Sequence, residues 1–320
     1  MPTDDLLIAE RARAALDEAL ARGAATGGWL LSGPKGIGKR TVADAFVAAH
    51  LSGADRLDAA DPNVASKVRG GGHPDQQVLA RTLNEKTNKR FAAIRTDDVR
   101  DVTERLFRTA GSGRRAVIVD TADELNPNSA NALLKSLEEP PAGTLFVLLS
   151  KAVGALLTTI RSRCRVVALP PLPEDALVPW LARRAGAGEA EARAAAFAAG
   201  GAPGRALSML EEPAAGALAD DFLRAAANGG DLLAVAEAAG AKANEAAWPE
   251  AWTIITERIG RALRGQADDA ALRGRAGPAL LSALDEARTL AQRADGLNAD
   301  RTHTALVLGR TIQRGLRAGR

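Results

Sequence analysis

The sequence predicts an α/β protein with an all-helical C-terminal part, and three observations carry that prediction. Ala116–Val119 and Leu145–Leu149 are uninterrupted apolar runs, as strands covered on both faces are; a glycine-rich turn, Gly33–Thr41, joins a strand-like segment to a helix-like one; and no strand pattern follows the Pro170-Pro171-Leu172-Pro173 tract. Strand segments near 29–32, 77–80, 115–120, 144–149 and 165–169 alternate with helical patterns, which is the order of a parallel sheet with helices on both faces.

Taken in order, residues 4–22 form an amphipathic helix, with Leu6, Leu7, Ala14, Ala15 and Leu16 among charges and Gly23 as its stop. Trp29–Ser32 is a short strand. It runs into Gly33-Pro34-Lys35-Gly36-Ile37-Gly38-Lys39-Arg40-Thr41, and Val42–Val47 continues as a helix. A loop in this setting lets backbone N–H groups close around a phosphate at the positive end of a helix while a lysine neutralises charge. Gly33, Gly36, Gly38 and Lys39, with Arg40 and Thr41 beside them, are therefore candidate residues for ATP or ADP; the competing reading is a strand-to-helix turn that binds nothing. The position after the lysine normally carries the Ser or Thr hydroxyl that binds Mg²⁺. Here it is Arg40, and Thr41 lies about 100° further round the helix. The expectation is binding without hydrolysis.

Residues 52–76 are rich in Gly, Asp and Ala, and Gly70–Asp75 looks like a loop into the strand Gln77–Ala80, with His73 a turn residue before Pro74. A helix opens near Ile94, capped at Thr96, and runs to Leu106; Gly111-Ser112-Gly113 links it to the central strand. That strand ends in Asp120-Thr121-Ala122-Asp123. Asn126-Pro127 starts a helix whose Ala130, Leu133, Leu134 and Leu137 share one face, and Pro140-Pro141 ends it. The next strand ends at Ser150, and Thr159–Arg165 contains the triplet Ser162-Arg163-Cys164. Beyond the proline tract, residues 174–212 form a small helical unit ending on Gly200–Leu207, and 213–320 an Ala- and Leu-rich bundle.

Composition limits the function classes. With 320 residues the chain is long enough for two or three domains. Its 46% apolar and 25% charged content belongs to ordinary globular proteins, and no apolar run approaches the ~18 residues of a membrane span. Residues 1–20 lack the apolar core of a signal peptide, so the cytoplasm is the expected location. One cysteine excludes an intrachain disulfide and, with three scattered histidines, a Cys-rich zinc site. The net charge of +3 and the excess of Arg over Lys accord with a GC-rich coding bias and do not by themselves imply DNA contact.

Gly33–Thr41, Asp120–Asp123, the stretch Asn126–Pro141 and Thr159–Cys164 together resemble the clamp-loader members of the AAA+ family, strongly over 25–170, moderately over 171–210, and in helical character alone beyond 213. The resemblance implies an AAA+ P-loop domain at 1–170, a helical lid at 171–212 and an oligomerising collar at 213–320. It implies a heteropentamer with delta and gamma/tau subunits that places a sliding clamp on primed DNA, with no membrane partner. By the same resemblance Arg163, in its Ser162-Arg163-Cys164 triplet, is an arginine finger serving a neighbour's nucleotide, Cys164 is packed, Ser150 senses phosphate, and Arg205 is the lid residue that meets nucleotide. Two departures stand out. Clamp-loader ATPases carry a Glu after the first acid of Asp-Glu-Ala-Asp; Thr121 stands there, and a neutral hydroxyl cannot take a proton from water. The four-cysteine zinc module of many relatives is missing, so no zinc is expected. An active ATPase of the gamma/tau kind and a stand-alone nucleotide sensor remain the rival readings.

Overall fold

In a computed structural model the chain forms two compact units, Met1–Leu207 and Ser208–Arg320. The structure describes residues 6–84, 89–91, 93–106, 113–211, 213–266, 269–297 and 299–318.

The first unit is built on β1 (Gly27–Ser32), β2 (Gln76–Leu79), the antiparallel two-residue pair β3 (Leu83–Asn84) and β4 (Lys89–Arg90), β5 (Arg115–Val119), β6 (Thr144–Ser150) and β7 (Cys164–Ala168). Five strands make one sheet in the order β2-β5-β6-β1-β7, every pairing parallel. Each parallel return needs a crossover, and the helices that supply it cover both faces. The crossovers carry α2 (Lys39–Ser52), α3 (Pro62–Arg69), α4 (Thr96–Leu106), α5 (Pro127–Glu138) and the single turn α6 (Thr158–Arg161), while α1 (Glu10–Ala21) precedes β1.

Side-chain alternation explains why the central strands read as unbroken apolar runs. Ala116 and Ile118, with Leu145, Val147 and Leu149, point into a core shared with Leu16, Phe46 and Val68 of the first three helices. Val117 and Val119, with Phe146 and Leu148, point into the opposite core with Val99, Leu106, Leu133 and Leu137. Within these runs both faces are apolar; the buried polar residues Thr144 and Ser150 stand at the two ends of β6. Trp29 meets Phe46 edge to face at 5.2 Å and satisfies its indole N–H on the Ala25 carbonyl.

Several boundaries differ from the sequence expectation. The first helix begins at Glu10, with residues 6–9 outside it and 1–5 outside the described residues. α3, for which no helix was expected, lies within the Gly-, Asp- and Ala-rich stretch 52–76 and is started by Asp61, whose carboxylate accepts from the N–H groups of Asn63 and Val64. α4 counts Thr96 as its first residue. Of the expected glycine linker, residues 111 and 112 lie outside the described residues.

After β7 come α7 (Glu174–Ala185), α8 (Glu189–Ala198) and α9 (Pro203–Glu211), the last crossing the boundary at Leu207. The second unit holds α10 (Pro213–Asn228), α11 (Leu232–Gly240), α12 (Ala247–Leu263), α13 (Pro278–Leu297) and α14 (Arg301–Ala318). Phe222, Ile254, Ile255, Leu284, Leu308 and Ile312 form its core, closed by an aromatic cluster of Phe222, Trp248 and Trp252 with ring separations of 6.0 to 6.4 Å. No described helix is long and apolar enough to cross a membrane.

Candidate functional site

The glycine loop leaves the C-terminal end of β1 and feeds α2, where a helix start offers unpaired N–H groups and positive potential. Its path needs glycine at two left-handed positions, Gly36 at φ 79° and Gly38 at φ 92°, the latter capping α2. Gly33 opens it, donating its N–H to Ser150 O at 3.2 Å, and buried Ile37 anchors its middle. Lys39 folds back across the loop, its Nζ donating to Gly33 O at 2.7 Å and Pro34 O at 2.8 Å. Burial pulls the ammonium below its ordinary pKa, with Asp123 opposing. A charged donor held over the loop by carbonyls alone is well placed to exchange them for anionic oxygens.

Arg40 does what a hydroxyl could not. Its Nε donates to Asp44 Oδ1 at 2.9 Å and its NH1 to Asp120 Oδ2 at 3.1 Å, tying the first turn of α2 to the end of β5 across 80 residues of sequence. Burial pushes the Asp44 carboxyl up from its ordinary pKa while Arg40 pulls it down. Thr41 is exposed on the helix, on a different side from that bridge.

The acids after β5 are engaged. Asp120 Oδ1 also accepts from the Thr121 hydroxyl at 3.3 Å. Asp123 accepts from Ser150 Oγ at 2.7 Å and from the Lys151 N–H at 2.8 Å, and Glu124 pairs with Arg81 at 2.7 Å. Fully buried Ser150, the last residue of β6, thus orients Asp123 in the turn after β5. No carboxylate stands at position 121, and Asp120, Asp123 and Glu124 are each paired with another side chain.

The helical segment α7–α9 reaches the same loop. The Gly204 N–H, in the first turn of α9, donates to Gly36 O at 2.9 Å, and a methyl group built on Gly36 would lie 2.8 Å from Arg205 Cβ. Arg205 is only 7% exposed, so it is packed beside the loop and not solvated.

The triplet lies elsewhere. Ser162 ends α6 and hydrogen-bonds Thr159 O at 3.0 Å; Arg163 NH1 donates to Thr159 O at 2.7 Å and to Ser162 Oγ at 3.2 Å, and its NH2 pairs with Glu138 at the end of α5. Cys164 begins β7, packed so closely on β1 that a methyl group at Gly28 would lie 2.7 Å from Arg163 O and 3.0 Å from Cys164 Sγ. Burial raises its thiol pKa to about 12, so the partly buried side chain stays a neutral thiol near neutrality.

Register sets the distance between the two clusters. Gly28 pairs with Cys164 and Ser32 with Ala168, so Arg163 stands at the N-terminal edge of the sheet and the phosphate loop at the C-terminal edge. Four strand residues separate those levels, ~13 Å of rise. The structure thus gathers Gly33, Gly36, Gly38, Lys39, Arg40, Asp120, Ser150 and Arg205 around one strand edge and leaves Ser162, Arg163 and Cys164 on the other. Asp44 and Glu138 are the partners that sequence reasoning missed, while Asp123 was read only as the last residue of the Asp120–Asp123 motif. Only Asp44 had a local signal, its i,i+4 spacing from Arg40.

The sequence profile of a family described as DNA polymerase III, delta subunit, matches residues 8–173. Over 158 residues the chain is 40% identical to the DNA polymerase III subunit delta' of Pseudomonas aeruginosa, covering 48% of this chain and 46% of that one. Over 145 residues it is 40% identical to the subunit of the same name from Escherichia coli K12, covering 45% and 42%. The aligned part is less than half the length of either relative. Among solved structures, a RuvB chain of Thermotoga maritima superposes with a TM-score of 0.47 at 15% identity, covering 99% of this chain and 90% of that one.

Proposed function

The chain belongs to the family described as DNA polymerase III, delta subunit, and from that premise we propose that it acts as a clamp-loader subunit of the delta-prime kind. In this reading it assembles with delta and gamma/tau subunits, helps place the sliding clamp on primed DNA, and neither needs nor performs ATP hydrolysis at its own loop. The 1–170 core, the 171–212 lid and the 213–320 collar are the working parts of that assembly. Nucleotide held at Gly33–Thr41 would be kept, not turned over.

One observation carries the reading: Arg163 sits at the sheet edge opposite the chain's own phosphate loop. A guanidinium is the side chain suited to charge developing on a transferred phosphoryl group. This one cannot serve its own loop across the depth of the sheet, so the site it serves belongs to a neighbour. The loss of the base at Thr121 supports the same division of labour, since a subunit that only donates an arginine has no use for one. Against an active ATPase of the gamma/tau kind stand Thr121 and the Arg40–Asp120 bridge.

Affinity purification of the tagged full-length chain from cell extract tests the assignment. Recovery of delta and gamma/tau subunits is expected; a chain that comes out alone and monomeric would leave the stand-alone sensor as the better reading.

A further inference from the structure

The place where a phosphate loop would hold a divalent cation is filled by the chain itself. Such an ion is ordinarily held by a hydroxyl one residue after the loop lysine and by an acid at the end of the neighbouring strand. Arg40 stands in place of the hydroxyl, and its NH1 lies 3.1 Å from Oδ2 of Asp120, the acid in question, while its Nε is fixed by Asp44 at 2.9 Å. The other Asp120 oxygen accepts from Thr121 at 3.3 Å. A divalent ion at Asp120 would displace the guanidinium or sit against it; the Thr121 and Ser150 hydroxyls already donate to Asp120 and Asp123, and Thr41 is exposed on a different side of α2. The residues present do not fit Mg²⁺.

They do fit an anion. Lys39 puts a positive charge, held only by the Gly33 and Pro34 carbonyls, at the first turn of α2, beside the N–H groups freed by the left-handed turns at Gly36 and Gly38, while the charge of Arg40 is taken up by Asp44 and Asp120. We infer that this loop takes a nucleotide's polyphosphate without a divalent ion, Lys39 and the loop N–H groups meeting the anion while the Arg40–Asp120 bridge, braced by Asp44, fills the place of the metal. This rests on the reading that the loop retains nucleotide. It adds that retention is indifferent to divalent cations, which also removes the ion from the one place where it could activate a leaving group.

The test is calorimetric titration of the full-length chain with ATP, once with excess magnesium and once with excess EDTA. The wild-type dissociation constants are expected to agree within about threefold, or to favour EDTA, where ATP carries more charge. Arg40→Thr, which removes the cation and supplies a hydroxyl, should bind at least ~10-fold more tightly with magnesium than with EDTA. Should that variant fold poorly, Arg40→Lys keeps the charge and is expected to keep the metal indifference. Wild-type binding that is ~10-fold stronger with magnesium would overturn the inference. So would the absence of binding in both buffers, an outcome that leaves the assembly test of the proposed function untouched because co-purification does not require nucleotide.

Discussion

Replacing Gly36 by Ala adds a methyl group at a left-handed backbone position, 2.8 Å from Arg205 Cβ and 3.1 Å from the Arg205 nitrogen. Two costs combine. Holding an L-residue with a side chain in that conformation costs ~1–2 kcal/mol. Relieving the contact moves α9 off the loop and stretches the 2.9 Å bond from the Gly204 N–H to Gly36 O, a further ~1 kcal/mol. Gly38 supplies the control: its φ of 92° is also left-handed, but a methyl group there meets nothing within 4 Å, so Gly38→Ala has the backbone cost alone. Gly36→Ala should therefore be the more destabilising by ~1 kcal/mol, about 2–4 °C in the midpoint of a unit of this size. Differential scanning calorimetry of the two full-length variants measures it, following the transition of the Met1–Leu207 unit. Equal midpoints would refute the reasoning that α9 is seated on the phosphate loop.

Three further outcomes are expected. The purified chain should hydrolyse ATP negligibly, because loss of a general base alone typically costs ~10²–10⁴-fold; a steady rate near one per second that Lys39→Ala abolishes would contradict this. Cys164 should resist aromatic disulfide reagents in the native protein at pH 8 and react on unfolding, since burial raises its pKa to about 12. The sign follows: the neutral thiol is favoured on folding, so this stabilisation is complete below the unfolded thiol's value of ~8.5 and is lost as pH climbs from there through the folded value. Rapid native labelling would refute the packing. Deleting 213–320 should leave a folded α/β fragment that no longer enters the complex, and full-affinity assembly of that fragment would move the oligomerising surface out of the collar.

Much of the sheet was legible because both its faces are buried. Ala116–Val119 and Leu145–Leu149 are buried throughout, and their short length and flanking turn residues decide for strands over a buried helix. α5 was equally plain: Asn126 accepts from the Ser129 N–H at 2.9 Å, Pro127 follows, and Ala130, Leu133 and Leu137 are buried, although Leu134 is only partly so. α3 escaped a reading of 52–76 by composition, yet its signal was present in Asp61-Pro62, a cap followed by the residue best suited to a first turn. The site divides in the same way. Its loop is local sequence and could be read; the bridges that define its chemistry, Arg40 to Asp120, Ser150 to Asp123 and Arg163 to Glu138, join residues 25 to 80 positions apart. No periodicity encodes a pairing of that range, because it is fixed by which strands lie side by side.

The measurement that bears most directly on the donated arginine is the DNA- and clamp-stimulated ATPase rate of complexes reconstituted with wild-type chain, Arg163→Ala or Arg163→Lys. An arginine supplied from another chain can be worth ~10³–10⁵ in rate at the site it serves, while other sites keep theirs, so the whole complex should assemble normally and lose part of its rate. Arg163→Lys should rescue poorly, since a point ammonium lacks the planar fork. Unchanged ATPase and unchanged clamp loading by the alanine variant would contradict the account and leave Ser162-Arg163-Cys164 an ordinary turn held by Glu138.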